Sequence, residues 1–153
     1  MRSLLDLAYR LQRRLWRVLR PKTRGVKIML LNDTGEILLI RNSYGKTHQF
    51  VLPGGGIRPW ERPEKAATRE VREELGCDAR ELQPVSTHFT TAEGKRDTVH
   101  VFRARLSGDR KPDNFEVLEA RFFPPANLPK TVSPATRRRV EELLGKRDVT
   151  PDW

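Results

Sequence analysis

With 153 residues, 37% of them hydrophobic and 33% charged, the chain has material for one modest core and not for two catalytic modules. Its single cysteine, Cys77, excludes an internal disulfide framework and a cysteine-built zinc cage, and fits a reducing cytoplasm. The net charge of +10 is concentrated in residues 1–27, where nine basic side chains accompany one acid, Asp6; the body that follows is nearly balanced.

Residues 3–19 read as an amphipathic helix. At 100° per residue Leu4, Ala8, Leu11, Leu15, Val18 and Leu19 share one stripe, and Arg10, Arg13, Arg14, Arg17 and Arg20 fill the opposite arc. Pro21 stops the helix. The arginines break the apolar run well short of the ~20 residues that a membrane span requires, and they do not suit a secretory signal. The stripe is too apolar to stay wet; docking on the domain itself or on a second copy of the chain is expected ahead of an anionic membrane surface or nucleic acid. Residues 1–22 are thus assigned to a basic helical arm and 23–153 to the domain proper, in the cytoplasm.

Gly25–Leu31 and Glu36–Arg41 read as strands around the turn Asn32-Asp33-Thr34-Gly35. Gln49–Leu52 reads as a further short strand ending at Pro53, and the triplet Gly54-Gly55-Gly56 marks a loop of special backbone geometry. A helix is expected from Pro63 to Leu75, with Gly76 after its last turn. Residues 82–92 and 97–106 read as paired strands, 116–123 as another, and Ser133-Pro134 opens a last helix closed by Gly145. Strands with few intervening helices imply a mixed α/β domain.

The chemistry is concentrated in Gly54–Cys77. Glu70, Glu73 and Glu74 fall within about 100° of arc on the helix, beside the apolar stripe Ala67, Val71 and Leu75. The like charges repel, and a cation held among them would reverse that penalty. A solvated acidic face, softened by Arg69 and Arg72, would account for the glutamates taken alone. It does not account for the spacing of the whole segment, in which Gly55 is followed after five residues by Glu61, after seven more by Arg69, and then by Glu70-Val71-Arg72-Glu73-Glu74-Leu75-Gly76-Cys77.

This pattern resembles the signature of the Nudix hydrolases, G-x5-E-x7-R-E-U-x-E-E-x-G-U with U aliphatic. A chance match at the seven fixed positions is on the order of 10⁻⁹ per starting point. Leu52-Pro53-Gly54 before the segment and Glu119–Phe123 with Leu128-Pro129 after it are similar to the family's framework as well. Cys77 departs from the aliphatic last position, Arg62 stands where Ser or Thr is common, and Trp60 where glycine is frequent.

The resemblance implies a Nudix-type α/β/α sandwich with a mixed sheet, carrying the N-terminal helix as an addition. It also implies Mg²⁺- or Mn²⁺-dependent hydrolysis of a phosphoanhydride in a nucleoside diphosphate linked to another moiety, with a small nucleotide favoured. Glu70, Glu73 and Glu74 would be the metal ligands, assisted by the carbonyl of Gly55 or Gly54, which suits hard cations that prefer oxygen. Arg69 would orient a carboxylate through a bidentate contact, and Glu61 would be an auxiliary group. The general base is left open among Glu70, Glu74, Glu116 and Glu119. Gly54, Gly56, Arg58, His48, Phe50 and Trp60 are candidates for contact with substrate. Two alternatives stand beside this reading: a hydrolase of triphosphorylated RNA 5′ ends, and a non-enzymatic binding module tethered by its basic arm.

Overall fold

The computed structural model describes residues 2–107 and 116–153. Helix α1 spans Arg2–Leu19 and is followed by strands β1 (Lys22–Leu31) and β2 (Ile37–Asn42), helix α2 (Pro63–Leu75), and β3 (Asp78–Thr90). A single 3₁₀ turn at Ala92–Gly94 leads into β4 (Arg96–Ser107), then β5 (Val117–Phe123) and α3 (Pro134–Leu143). The five strands form one sheet in the order β3-β4-β1-β2-β5. β1 and β4 run parallel, whereas β1–β2, β2–β5 and β3–β4 are antiparallel, so the sheet is mixed as expected.

Alternation along the central strands divides the core in two. Val26, Ile28, Leu30, Leu38, Ile40, Phe102 and Ala104 point to the face covered by Ala66, Ala67, Val71 and Leu75 of α2. Met29, Ile37, Leu39 and Val101 point to the other face, against Phe50, Phe123, Val132 and Val140 of α3. Helix α3 starts at Ser133, whose hydroxyl accepts the Thr136 N–H as a side-chain cap. Arg62 occupies the corresponding position of α2 without a side-chain cap, and Pro63 supplies the preset backbone instead.

Three boundaries differ from the sequence reading, the first being β1, which begins at Lys22 instead of Gly25. Residues 49–52 make no strand of their own; Phe50 bridges Val132 and Val51 bridges Ile40, because Pro53 and the glycines end any ladder at once. β3 begins at Asp78 instead of residue 82, through a polar stretch that lacks apolar alternation. It is an edge strand, and its register shifts between Arg80 and Gln83 and again between Pro84 and Ser86.

The helical arm rests on the domain, but by the side opposite to the one expected. Tyr9 donates its hydroxyl to Glu93 and packs on Tyr44 with ring centroids 5.9 Å apart. Lys95 Nζ lies 4.5 Å from the centre of the Trp16 ring, and Gly94 sits directly against the Arg17 backbone. The apolar stripe therefore faces away from the domain, with Leu4, Leu11, Leu15, Val18 and Leu19 all exposed. Helical periodicity located the two faces correctly; it could not foresee that two aromatics, Tyr9 and Trp16, in the polar arc would anchor the helix. Among the described residues no helix is long and apolar enough to cross a membrane.

Candidate active site

The site is assembled where the loop after Leu52 meets α2. Burial of Ala66, Ala67, Val71 and Leu75 fixes the rotation of the helix about its axis. That rotation turns Glu74 inward and Glu70 toward the loop, while Glu73 stays half-exposed. The loop backbone comes close enough to touch the carboxylates. Gly54 adopts a φ of 133°, and a Cβ there would lie 2.2 Å from the Val26 carbonyl oxygen, so no other residue fits. Its N–H donates to Glu74 Oε2 at 2.8 Å. A Cβ on Gly55 would meet the Glu70 carboxyl group at 2.7 Å, so glycine there is what lets Glu70 lie flat on the loop.

Arg69 organises the rest. Its Nε and Nη2 each donate to one oxygen of Glu61 at 2.8 Å, a bidentate fork of the kind a lysine cannot make. Nη1 donates to Glu70 at 2.6 Å and to Glu73 at 3.1 Å, and Nη2 also reaches the Gly56 carbonyl at 2.9 Å. Arg58 donates its backbone N–H to Glu61 and its guanidinium to the other oxygen of Glu73. The carboxylates thus lie along a groove, gathered by guanidinium groups. Among the described residues no three acidic, histidine or cysteine side chains converge on one point.

Electrostatics distinguish three of these acids. The Arg69 hydrogen bonds and the Arg58 N–H hold Glu61 down at about 2. Burial pushes Glu74 up to about 7; Lys27 and the Gly54 N–H pull it down, while Glu70 and Glu116 push it further up. Burial likewise raises Glu70, against the pull of Arg69. Glu74 and Glu70, both packed on the glycine-loop backbone, offer carboxylate and carbonyl oxygens of the kind that hard divalent cations prefer, so the donor types fit Mg²⁺ or Mn²⁺.

Two residues of this cluster escaped the sequence reading. Lys27 lies under the loop, where its Nζ donates to the carbonyls of Leu52 and Gly54, and burial lowers its pKa. Its signal was present: a lysine between Val26 and Ile28 in a strand otherwise rich in apolar residues. Tyr44 is raised to about 12, first by burial and then by the charges of Glu116, Glu74 and Glu70. It lay in an irregular stretch with no periodicity to mark it.

The remaining candidates separate clearly. Glu116, at the start of β5, is close enough to raise both Glu74 and Tyr44, and its carbonyl accepts the Ser43 N–H. Glu119 instead pairs with Arg41 at 2.6 Å across the β2–β5 ladder and with Arg121 of its own strand at 3.7 Å. Phe50 is buried against Phe123, edge to face at 4.9 Å, which makes it core and removes it from the substrate candidates. Trp60 is fully exposed with a φ of 65°. His48 is exposed in the turn before Phe50.

Beside the glycine loop, where Gly25 pairs with Gly56 and Ile57 donates to the Arg24 carbonyl, an open cavity of about 670 Å³ extends along the ends of β1, β3 and β4. Lys22, Arg24 and Arg96 line it together with Phe89, Trp153 and two acids, Asp97 and Asp152. Trp153 is held there by β3: its N–H donates to the Phe89 carbonyl, and the ring packs near His88.

Comparison with known proteins agrees with this architecture. The chain is 28% identical over 129 residues to a putative 8-oxo-dGTP diphosphatase of Bacillus subtilis, spanning 83% of this chain and 84% of that protein. It is 43% identical over 59 residues to an RNA pyrophosphohydrolase of Pseudomonas savastanoi, a stretch that covers 39% of this chain and only 36% of the relative. The solved structure of a MutT NUDIX hydrolase from Burkholderia pseudomallei superposes with a TM-score of 0.72 at 26% identity, covering 80% of this chain and 98% of that one. The NUDIX domain model matches residues 21–143, which leaves only α1 and the last ten residues outside it. The chain therefore belongs to the NUDIX domain family and, with it, to the enzymes that hydrolyse phosphoanhydrides.

Proposed function

We propose that the chain is a divalent-metal-dependent, cytoplasmic pyrophosphohydrolase that cleaves a nucleoside diphosphate linked to another moiety, with a small nucleotide as substrate. The observation that carries this reading is the packing of Glu70 and Glu74 against the backbone of Gly54 and Gly55, with Arg69 holding Glu61 and Glu70 in register. Glu70, Glu73, Glu74 and the Gly55 carbonyl would hold Mg²⁺ or Mn²⁺. Once bound, the cation neutralises pyrophosphate charge and makes an attacking water more acidic.

The chain's own groups supply the rest. Arg69 fixes the orientation of Glu70 and Glu73, so their oxygens need little reorganisation when a cation and substrate arrive. Arg58, exposed at the rim and paired with Glu73 at 3.2 Å, is a cation available to meet a phosphate beside the glutamates. Glu74, with a pKa near neutrality in the metal-free protein, and Glu116, which reaches the same cluster from β5, are the candidates to accept the water's proton. Glu119, paired with Arg41 and Arg121, ranks behind them for that role.

The cavity between Lys22, Arg24, Arg96 and Trp153 supports a second reading, in which the nucleotide is the first residue of a triphosphorylated RNA. Cations for a continuing backbone and aromatic rings for stacking suit such a strand. A substrate panel with Mg²⁺ separates the two: nucleoside triphosphates, ADP-ribose, dinucleoside polyphosphates and sugar nucleotides on one side, triphosphorylated RNA on the other. Faster turnover of a mononucleotide supports the first reading and faster turnover of the RNA the second. Absence of turnover throughout would favour a non-enzymatic binding module.

A further inference from the structure

Helix α1 presents six large apolar side chains to solvent: Leu4, Leu7, Leu11, Leu15, Val18 and Leu19 are between 51% and 81% exposed. The face that ordinarily would be wet is the one in contact with the domain, through Tyr9 and Trp16, with Arg13 laid over the Tyr9 ring. The helix is thus fixed to the body with its apolar stripe outward along about 27 Å of axis. The charges beside the stripe are of one sign. Arg10, Arg14 and Arg17 are exposed along one flank, Arg20 and Lys22 continue past the C-terminal end, and the only acid of the helix, Asp6, lies half-buried on the domain side.

We propose that this face docks on an anionic lipid bilayer, leucines into the acyl boundary and arginines among the headgroup phosphates. An apolar stripe flanked by guanidinium groups is complementary to such a surface in both hydrophobicity and charge. A second copy of the chain is a poor match, because apposing two stripes brings two arginine flanks together within a Debye length, with no carboxylate beside the stripe to neutralise them. The domain's own surface is already engaged by the opposite side of the helix. The helix is bound to the body through Tyr9 and Trp16, so the bilayer would meet the protein in one orientation.

The test is flotation of the full-length protein with vesicles of equimolar phosphatidylglycerol and phosphatidylcholine, compared with pure phosphatidylcholine. Leu11→Gln/Leu15→Gln and Arg10→Gln/Arg14→Gln change exposed positions only and should melt as wild type does. Wild type should float with the anionic vesicles. Binding should fall at least about tenfold in pure phosphatidylcholine and in each double variant. No flotation with anionic vesicles would overturn the proposal, as would equal flotation of either variant. A dimer in solution that Leu11→Gln/Leu15→Gln dissociates would also overturn it, by assigning the stripe to a second copy.

Discussion

Replacing Glu74 by glutamine should make the metal-free protein more stable while removing its activity. The Glu74 carboxyl is buried, and its pKa is raised from 4.5 to about 7, so the folded state holds a proton that the unfolded state has released throughout that interval. The stability contributed by the protonated form is complete below about pH 4.5 and is lost as the pH rises through 7. The cost at pH 8 is about 3 kcal/mol, taking about 1.36 kcal/mol for each tenfold change in proton affinity between the two states. Glutamine is a neutral isostere whose oxygen can still accept the Gly54 N–H, so it escapes that cost. For a domain of this size the gain corresponds to a rise of roughly 6–12 °C in Tm at pH 8. The assay is thermal unfolding of both proteins in excess EDTA at pH 5 and pH 8. Taking the difference between them cancels other groups, including His88, whose lowered pKa acts in the opposite sense. Mg²⁺ should then raise the Tm of wild type at pH 8 and leave the variant almost unmoved, because ligation requires the ionised carboxylate. A variant no more stable than wild type at pH 8, or equally more stable at both pH values, would refute the electrostatic reasoning.

Glu73→Gln, at a half-exposed position, should leave Tm nearly unchanged and remove most turnover, checked by melting and by product assay on one substrate. Arg69→Lys cannot form the double contact to Glu61, and turnover should fall about 10–100-fold with a smaller effect on stability. Gly54→Ala and Gly55→Ala should behave differently although they are neighbours. The first sets a Cβ against the Val26 carbonyl and should lower stability by about 1–3 kcal/mol in denaturant titration; the second displaces only the Glu70 carboxylate and should weaken activity more than stability.

The amount that could be read from the sequence depended on whether a feature is periodic. α2 and its acidic face follow from the spacing of Ala67, Val71 and Leu75 relative to Glu70 and Glu74, and the structure places them so. The strands followed from short apolar runs between recognisable turns, and the mixed sheet from the family resemblance. Lys27 and Tyr44 were missed because their importance arises from the loop folding back over β1, a long-range contact with no local signature. Phe50 was misassigned for a related reason: proximity to the glycine loop in sequence suggested the groove, whereas its bridge to Val132 turns the ring into the core beneath α3. The stripe of α1 was identified correctly, but it does not dock on the chain's own domain. Which face of an amphipathic helix meets the domain depends on what the domain offers, and here it offers Glu93, Tyr44 and Lys95 to the aromatic residues of the polar arc.

The central claim is that this groove directs water onto a phosphoanhydride with the help of a divalent cation held by its glutamates. It is tested most directly by turnover in ¹⁸O-labelled water of the best nucleotide from the substrate panel, with Mg²⁺ and with excess EDTA, followed by mass analysis of both products. The expected result is two phosphate-bearing fragments, one of them carrying a single ¹⁸O on phosphorus, formed only when the cation is present and lost in Glu74→Gln. Equal label incorporation in EDTA, or cleavage that leaves both phosphates on one fragment, would contradict it.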